Sequence, residues 1–185
     1  MRWHRSGTER FHEALGRAED RGSAGAEKVS PVVGEILRRV REGGDAVLAE
    51  YTRRFDRFDP GRKGFAVSPR QIAAAWRRVP AGLRRSLALA AERIEAFHRR
   101  QVEGGFGLSL SGVTIGQRVL PVARAGVYVP GGKAAYPSTL LMNALPARVA
   151  GVPEVVAACS AHGGKVPDDV LAAARNAEAG KGDSA

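Results

Sequence analysis

Cysteine is almost missing from this sequence: Cys159 is the single one in 185 residues. An internal disulfide and a cysteine-built metal centre are thereby excluded. Long apolar runs are missing as well. No stretch reaches the roughly 20 apolar residues that a bilayer-spanning helix needs, so no membrane partner is expected. The opening residues MRWHRSGTERFHEAL carry no apolar segment of the secretory kind, and the expected location is the cytoplasm. Histidine is limited to His4, His12, His98 and His162, none at metal-ligand spacing from another His or a carboxylate, and H-E-x-x-H does not occur. The dinucleotide fingerprint G-x-G-x-x-G and the phosphate-binding G-x-x-x-x-G-K-[ST] are absent too. No Ser/His/Asp constellation can be assembled.

What is present is a core and an excess of positive charge. Apolar residues make up 44%, and 29 Lys and Arg against 19 Asp and Glu give a net charge of +10. The excess is mostly arginine, in pairs such as Arg38–Arg39, Arg53–Arg54, Arg77–Arg78, Arg84–Arg85 and Arg99–Arg100. A basic domain raises the question of nucleic acid. These arginines are scattered between apolar helical positions over several segments, however, and do not form one basic block interleaved with aromatics. They read as solvated helix faces, and nucleic acid is not the expected partner.

The fold class expected is α/β, with an N-terminal helical segment and a hairpin followed by an incomplete parallel, Rossmann-like βαβα unit. Residues 1–28 read as a helix and a flexible link through the loose run Arg21–Ala26, and residues 29–104 as packed helices. Ser30 can cap and Pro31 suits a first helical turn, followed by Val33, Ile36, Leu37 and Val40 at helical spacing. Gly43 and Gly44 end that helix, and Asp45 caps the next. Ser68–Pro69 open a third, and Pro80 precedes a longer one with Leu83, Leu87, Ala90, Ile94 and Phe97 on its stripe.

At 105–123 the period changes to two. Leu108, Leu110, Val113 and Ile115 alternate with small or polar residues around the turn Ser111–Gly112, a hairpin pattern. At 124–185 two apolar strands, Ala125–Val129 and Val155–Cys159, alternate with a helix capped by Ser138 or Thr139 and ended at Gly151, and with a helix over about Pro167–Ala177. Fully apolar strands alternating with helices imply a parallel sheet covered on both faces. Two parallel strands rarely stand alone, so the unit is expected to be incomplete and the chain truncated.

Chemistry-bearing candidates cluster at the end of the first of these strands. The turn Pro130–Lys133 holds a Gly pair that lets backbone approach a ligand, before a helix whose free amides favour anions. Ligands of open α/β sheets sit at such strand ends. Spacing alone leaves open a plain strand-to-helix turn or a cofactor loop. Tyr128 can stack on a ligand or donate its hydroxyl, or it is a satisfied core tyrosine. Lys133 can hold a phosphate or carboxylate, or it is an exposed turn lysine. Cys159 reads as a small buried hydrophobe, and His98 as a residue that packs or hydrogen-bonds on its helix. His162 lies in a loop. Asp168 and Asp169, and Glu92 and Glu95, read as capping and short-range ion pairing.

The run RAGVYVPGGKAAYPSTLLMNALPARVAGVPEVV, Arg124–Val156, resembles the histidinol dehydrogenase family closely. Ile36–Asp56, Arg93–Gln101, Ile115–Pro130 and Gly163–Gly180 are similar to flanking parts of it, so the resemblance covers the chain from about Glu27 to Gly180. It implies NAD- and zinc-dependent oxidation of L-histidinol to L-histidine through histidinal, the last step of histidine biosynthesis, by a homodimer. Two NAD⁺ are consumed, and a Glu–His pair handles the protons. Residue by residue, Tyr128 matches the family tyrosine that contacts NAD, and Pro130–Gly132 matches the loop beside the cofactor. The family's zinc ligands, its Glu–His pair and its other NAD contacts belong to a later part, so no catalytic or metal residue is expected here and the chain alone is expected to be inactive. The alternative is a non-catalytic fragment acting as a partner-binding or anion-binding module.

Overall fold

A computed structural model describes residues 5–61, 64–131 and 135–179, with the side chains at 17–28, 162 and 179 outside that description. The chain forms two compact units, Met1–Tyr51 and Thr52–Ala185.

The first unit consists of helix α1, Glu9–Asp56, whose last residues extend into the second unit. The helix is broken at Gly44, where φ is 58° and ψ is −144°. That backbone conformation is open to glycine and strained for other residues, so the Gly43–Gly44 doublet divides the helix as its sequence predicts. Arg39 Nη2 lies 2.9 Å from Glu50 Oε2 and Arg39 Nη1 lies 3.1 Å from the Tyr51 hydroxyl. Residues this far apart in a straight helix would be separated by about 16 Å, so the limb after Gly44 folds back. The run 21–26, expected as a loose link, is helical, and Ser30–Pro31, expected to start a helix, lie inside one. Ala, Glu, Lys and Arg in this stretch favour the helix and outweigh Gly22 and Gly25, which cost about 1 kcal/mol each.

In the second unit, α2 (Pro69–Arg78) starts as expected at Ser68. Ser68 Oγ accepts from the Gln71 amide, and Gln71 Oε1 accepts from the Ser68 amide at 2.8 Å, a reciprocal cap. Helix α3 (Ala81–Arg99) follows Pro80. Strands β1 (Phe106–Leu110) and β2 (Val113–Gln117) form the predicted antiparallel hairpin. Its turn residues Ser111 and Gly112 have φ of 48° and 81°, the mirror-image turn that matches strand twist. Leu108 pairs with Ile115 and Leu110 with Val113, so one face is apolar. These four side chains are 45–62% exposed, so the hairpin contributes nothing to the core.

Strand β3 (Arg124–Val129) pairs in parallel with β4 (Glu154–Cys159), from Arg124 opposite Glu154 to Val129 opposite Cys159. Between them runs α4 (Pro137–Val149), and α5 (Asp168–Ala179) follows a short turn at His162–Gly164. Helix α4 is capped by Tyr136, without a side-chain hydrogen bond, rather than by Ser138 or Thr139. Pro137 has its φ preset for the first helical position, which starts the helix two residues earlier than a Ser138 cap would. At the other end Gly151, with φ of 85°, donates to Arg148 O, and Val152 donates to Ala147 O. This closes the helix where glycine predicts it.

The core lies on one side of the β3–β4 pair. Val127 and Val129 point into it with Leu140, Leu141, Ala144 and Leu145 of α4, Leu87 and Ala91 of α3, and Val170, Ala172, Ala173 and Ala177 of α5. The alanines of α5 let α4 approach closely. Two guanidinium groups approach the ring of Trp76 of α2, Arg84 at 5.7 Å and Arg175 at 5.2 Å from its centroid. The opposite sheet face, expected to be covered as well, is open: Tyr128 is 64% and Val156 48% exposed. The strands are apolar on both faces, but helices of the described residues pack on one only.

Candidate functional site

The open face and the C-terminal ends of β3 and β4 bring the strongest candidates together. Tyr128 stands opposite Ala158. Ser160 follows two residues later on the same side, because side chains alternate along a strand. The Tyr128 hydroxyl lies 3.0 Å from Ser160 Oγ, and either can be the donor. Just beyond β3, Gly131 runs so close to the end of β4 that a Cβ there would collide with the Ser160 carbonyl oxygen. Glycine is therefore required at Gly131 by its proximity to the end of β4. Gly132 and Lys133 of the same turn lie outside the described residues.

Cys159 sits at the end of β4, half buried, with its Sγ donating to the Ser160 carbonyl at 3.4 Å. Burial pushes its thiol above the usual range, with the negative charge of Asp56 adding to the effect. A thiol held protonated is a poor nucleophile, in keeping with a hydrophobe that packs against the core.

The remaining candidates lie elsewhere. His98 Nδ1 is 2.5 Å from Gln101 Oε1 and its ring meets Phe97 edge-on at 5.2 Å, a local role on α3. His4 and the side chain of His162 lie outside the described residues. Glu95 pairs with Arg99 one turn on, and Asp169 accepts the Val170 amide at 2.9 Å. Asp168, by contrast, reaches Arg78 across 90 residues with two bonds of 2.8 and 2.6 Å. The guanidinium holds the Asp168 carboxyl below its ordinary range. This pair borders a groove of about 200 Å³ floored by Val67, Ala74, Val166 and Leu171. Among the described residues no three His, Cys, Asp or Glu side chains converge to hold a metal, so they do not fit a zinc ion. Sequence reasoning missed Ser160, whose place beside Tyr128 depends on the strand register, and Asp168's long-range partner.

The family profile described as histidinol dehydrogenase matches residues 19–181. The chain belongs to the histidinol dehydrogenase family. It is 48% identical over 165 residues to the histidinol dehydrogenase of Syntrophotalea carbinolica, covering 89% of this chain and 38% of that protein. It is 47% identical over 148 residues to that of Chromobacterium violaceum, covering 79% of this chain and 34% of that protein. Its fold is similar to the crystal structure of histidinol dehydrogenase from Elizabethkingia anophelis, with a TM-score of 0.74 at 28% identity, over 81% of this chain and 35% of that one. The chain thus spans about a third of the length of the histidinol dehydrogenases it matches.

Proposed function

We propose that this chain provides the β3–turn–α4 cofactor contact of an NAD- and zinc-dependent histidinol dehydrogenase, in which L-histidinol is oxidised to L-histidine in a cytoplasmic homodimer. The observation that carries the reading is Tyr128: it stands exposed at the C-terminal end of a parallel strand, in the segment that carries the family resemblance. Strand ends of this kind are where open α/β sheets hold ligands. Tyr128 would stack on or hydrogen-bond the cofactor, beside the turn that Gly131 lets pass close to the end of β4. NAD⁺, when bound, would supply the hydride acceptor for the oxidation of the alcohol.

Among the described residues no three His, Cys, Asp or Glu side chains converge to hold a metal, and the expected outcome is that the chain alone does not turn over. With histidinol, NAD⁺ and zinc, purified chain is expected to give no rise in NADH absorbance, and measurable turnover would refute this part. Calorimetric titration with NAD⁺ tests the cofactor contact. Tyr128→Ala is expected to weaken binding about tenfold or more, by loss of a stacking aromatic, and an unchanged isotherm counts against it.

The open apolar faces favour a second reading, a module that binds a partner chain. Leu108, Leu110, Val113 and Ile115 of the hairpin and Val156 of the sheet are all exposed, and such clustered apolar surface marks interaction sites. A partner that binds and leaves NAD⁺ affinity unaltered would select that reading.

A further inference from the structure

We propose that Ser160 is a positioning residue for Tyr128, fixing the phenol so that its hydroxyl hydrogen is presented to an acceptor oxygen, phosphate or ribose, of the cofactor. This deepens the reading of Tyr128 as a cofactor contact and rests on it.

The two residues are unequal partners. Ser160 is half buried, and its main chain is set by neighbours other than Tyr128. Its carbonyl lies against Gly131 and accepts from the Cys159 thiol at 3.4 Å. The backbone of Tyr128 is held by pairing with β4, while its ring stands 64% exposed. Where a hydroxyl on a short, half-buried side chain meets the far end of a long, exposed one at 3.0 Å, the short side chain, with its main chain held, orients the longer one.

The bond is also reversible in direction, since each hydroxyl carries one hydrogen and two lone pairs. When Tyr128 donates to Ser160, the phenol has only lone pairs left to offer. When Ser160 donates to the phenolic oxygen, the Tyr128 hydrogen is free for a ligand. An acceptor oxygen on the cofactor selects the second arrangement, and the chain Ser160→Tyr128→ligand then polarises in one direction. A ligand offering a donor selects the first. The Ser160 hydroxyl therefore serves both states without moving the ring, which a residue lacking a hydroxyl cannot do.

The test is a double-mutant cycle on NAD⁺ affinity of the full chain, read by titration calorimetry, with Ser160→Ala, Ser160→Thr, Tyr128→Phe and the pair Ser160→Ala/Tyr128→Phe. Loss of one hydrogen bond predicts about three- to tenfold weaker binding for Ser160→Ala. Near wild-type affinity is expected for Ser160→Thr, which keeps the hydroxyl. No further loss is expected when Ser160→Ala is added to Tyr128→Phe, because Ser160 acts through the phenol. Additive losses, wild-type affinity in Ser160→Ala, or failure of threonine to rescue would each overturn the proposal. Should wild-type chain bind no NAD⁺, the cofactor reading itself fails. The pairing is then decided by side-chain relaxation of the Tyr128 ring in ligand-free chain: loosened in Ser160→Ala but not in Ser160→Thr if Ser160 positions it, and unchanged in both if it does not.

Discussion

Two glycines of the same segment make a matched test of how the strand ends are held. Gly131 follows β3, and a methyl group there would overlap the Ser160 carbonyl oxygen, lie 2.9 Å from the carbonyl carbon and 3.1 Å from Ser160 Cβ. The obstacle is mainly backbone, which cannot rotate away as a side chain would. Either the turn or the end of β4 must move, and overpacking of this kind costs about 1–3 kcal/mol. Gly126, inside β3, would meet nothing within 4 Å on gaining a Cβ. Alanine there removes unfolded-state freedom at no steric cost and is worth about 0.4–1 kcal/mol of added stability. Urea denaturation followed by circular dichroism reads both, with the slope of free energy against urea serving as a check that the denatured state is unchanged. Gly131→Ala is expected to lower the midpoint and Gly126→Ala to leave it or raise it. If the two variants shift the midpoint by the same amount, or Gly131→Ala stays within about 0.5 kcal/mol of wild type, the close approach of the strand ends is refuted.

Other substitutions separate core from surface. Leu141 is fully buried, and Leu141→Ala is expected to cost about 2–5 kcal/mol in the same assay. Ile115→Thr on the exposed hairpin face should stay within about 0.5 kcal/mol; comparable losses for the two would show that the hairpin face is covered in solution. The Asp168–Arg78 pair makes stability pH-dependent. Its carboxyl is held below the usual range by Arg78, so its contribution is present above the unfolded carboxylate range, about pH 4, and is lost as pH falls through the lowered folded value. Asp168→Asn removes that contribution at neutral pH, so the gap in stability between wild type and variant should narrow on acidification; a gap independent of pH would contradict the pairing.

Much of this arrangement was legible because local chemistry decides it. Ser68 and Gln71 make a cap wherever they fall at that spacing, Ser111–Gly112 suit only one kind of hairpin turn, and Gly44 and Gly151 mark breaks that other residues resist. What was not legible depends on distance in sequence. The helix through 21–31 escaped because its glycines, serine and proline are strong local breakers, while the helix formers beside them act only in sum. The open sheet face escaped because apolar residues on both sides of a strand predict two covers without saying whether both are supplied. The Ser160–Tyr128 contact depends on the parallel register, and the Asp168–Arg78 pair spans 90 residues. No local pattern encodes either.

The register itself follows from the one covered face. Val127 and Val129, 6% and 0% exposed, alternate with Gly126 and Tyr128 along β3. A slip of one residue would turn the two valines to solvent and drive the tyrosine into the space beneath α4. That space is filled by Leu140, Leu141, Ala144 and Leu145 and has no room for a ring of that size. Burial of the valines therefore holds Tyr128 outward as firmly as it holds the core together. The parallel pairing then sets Ser160 beside it, because Ala158 must stand opposite Tyr128 once Cys159 stands opposite Val129. The exposed tyrosine and its hydroxyl partner are consequences of how the hidden face packs, and a cavity cut at Val129 should reach them. Val129→Ala is expected to cost about 0.5–3 kcal/mol and to loosen the Tyr128 ring in relaxation measurements; a ring as ordered as in wild type would show that the open face is held by something other than the core beneath it.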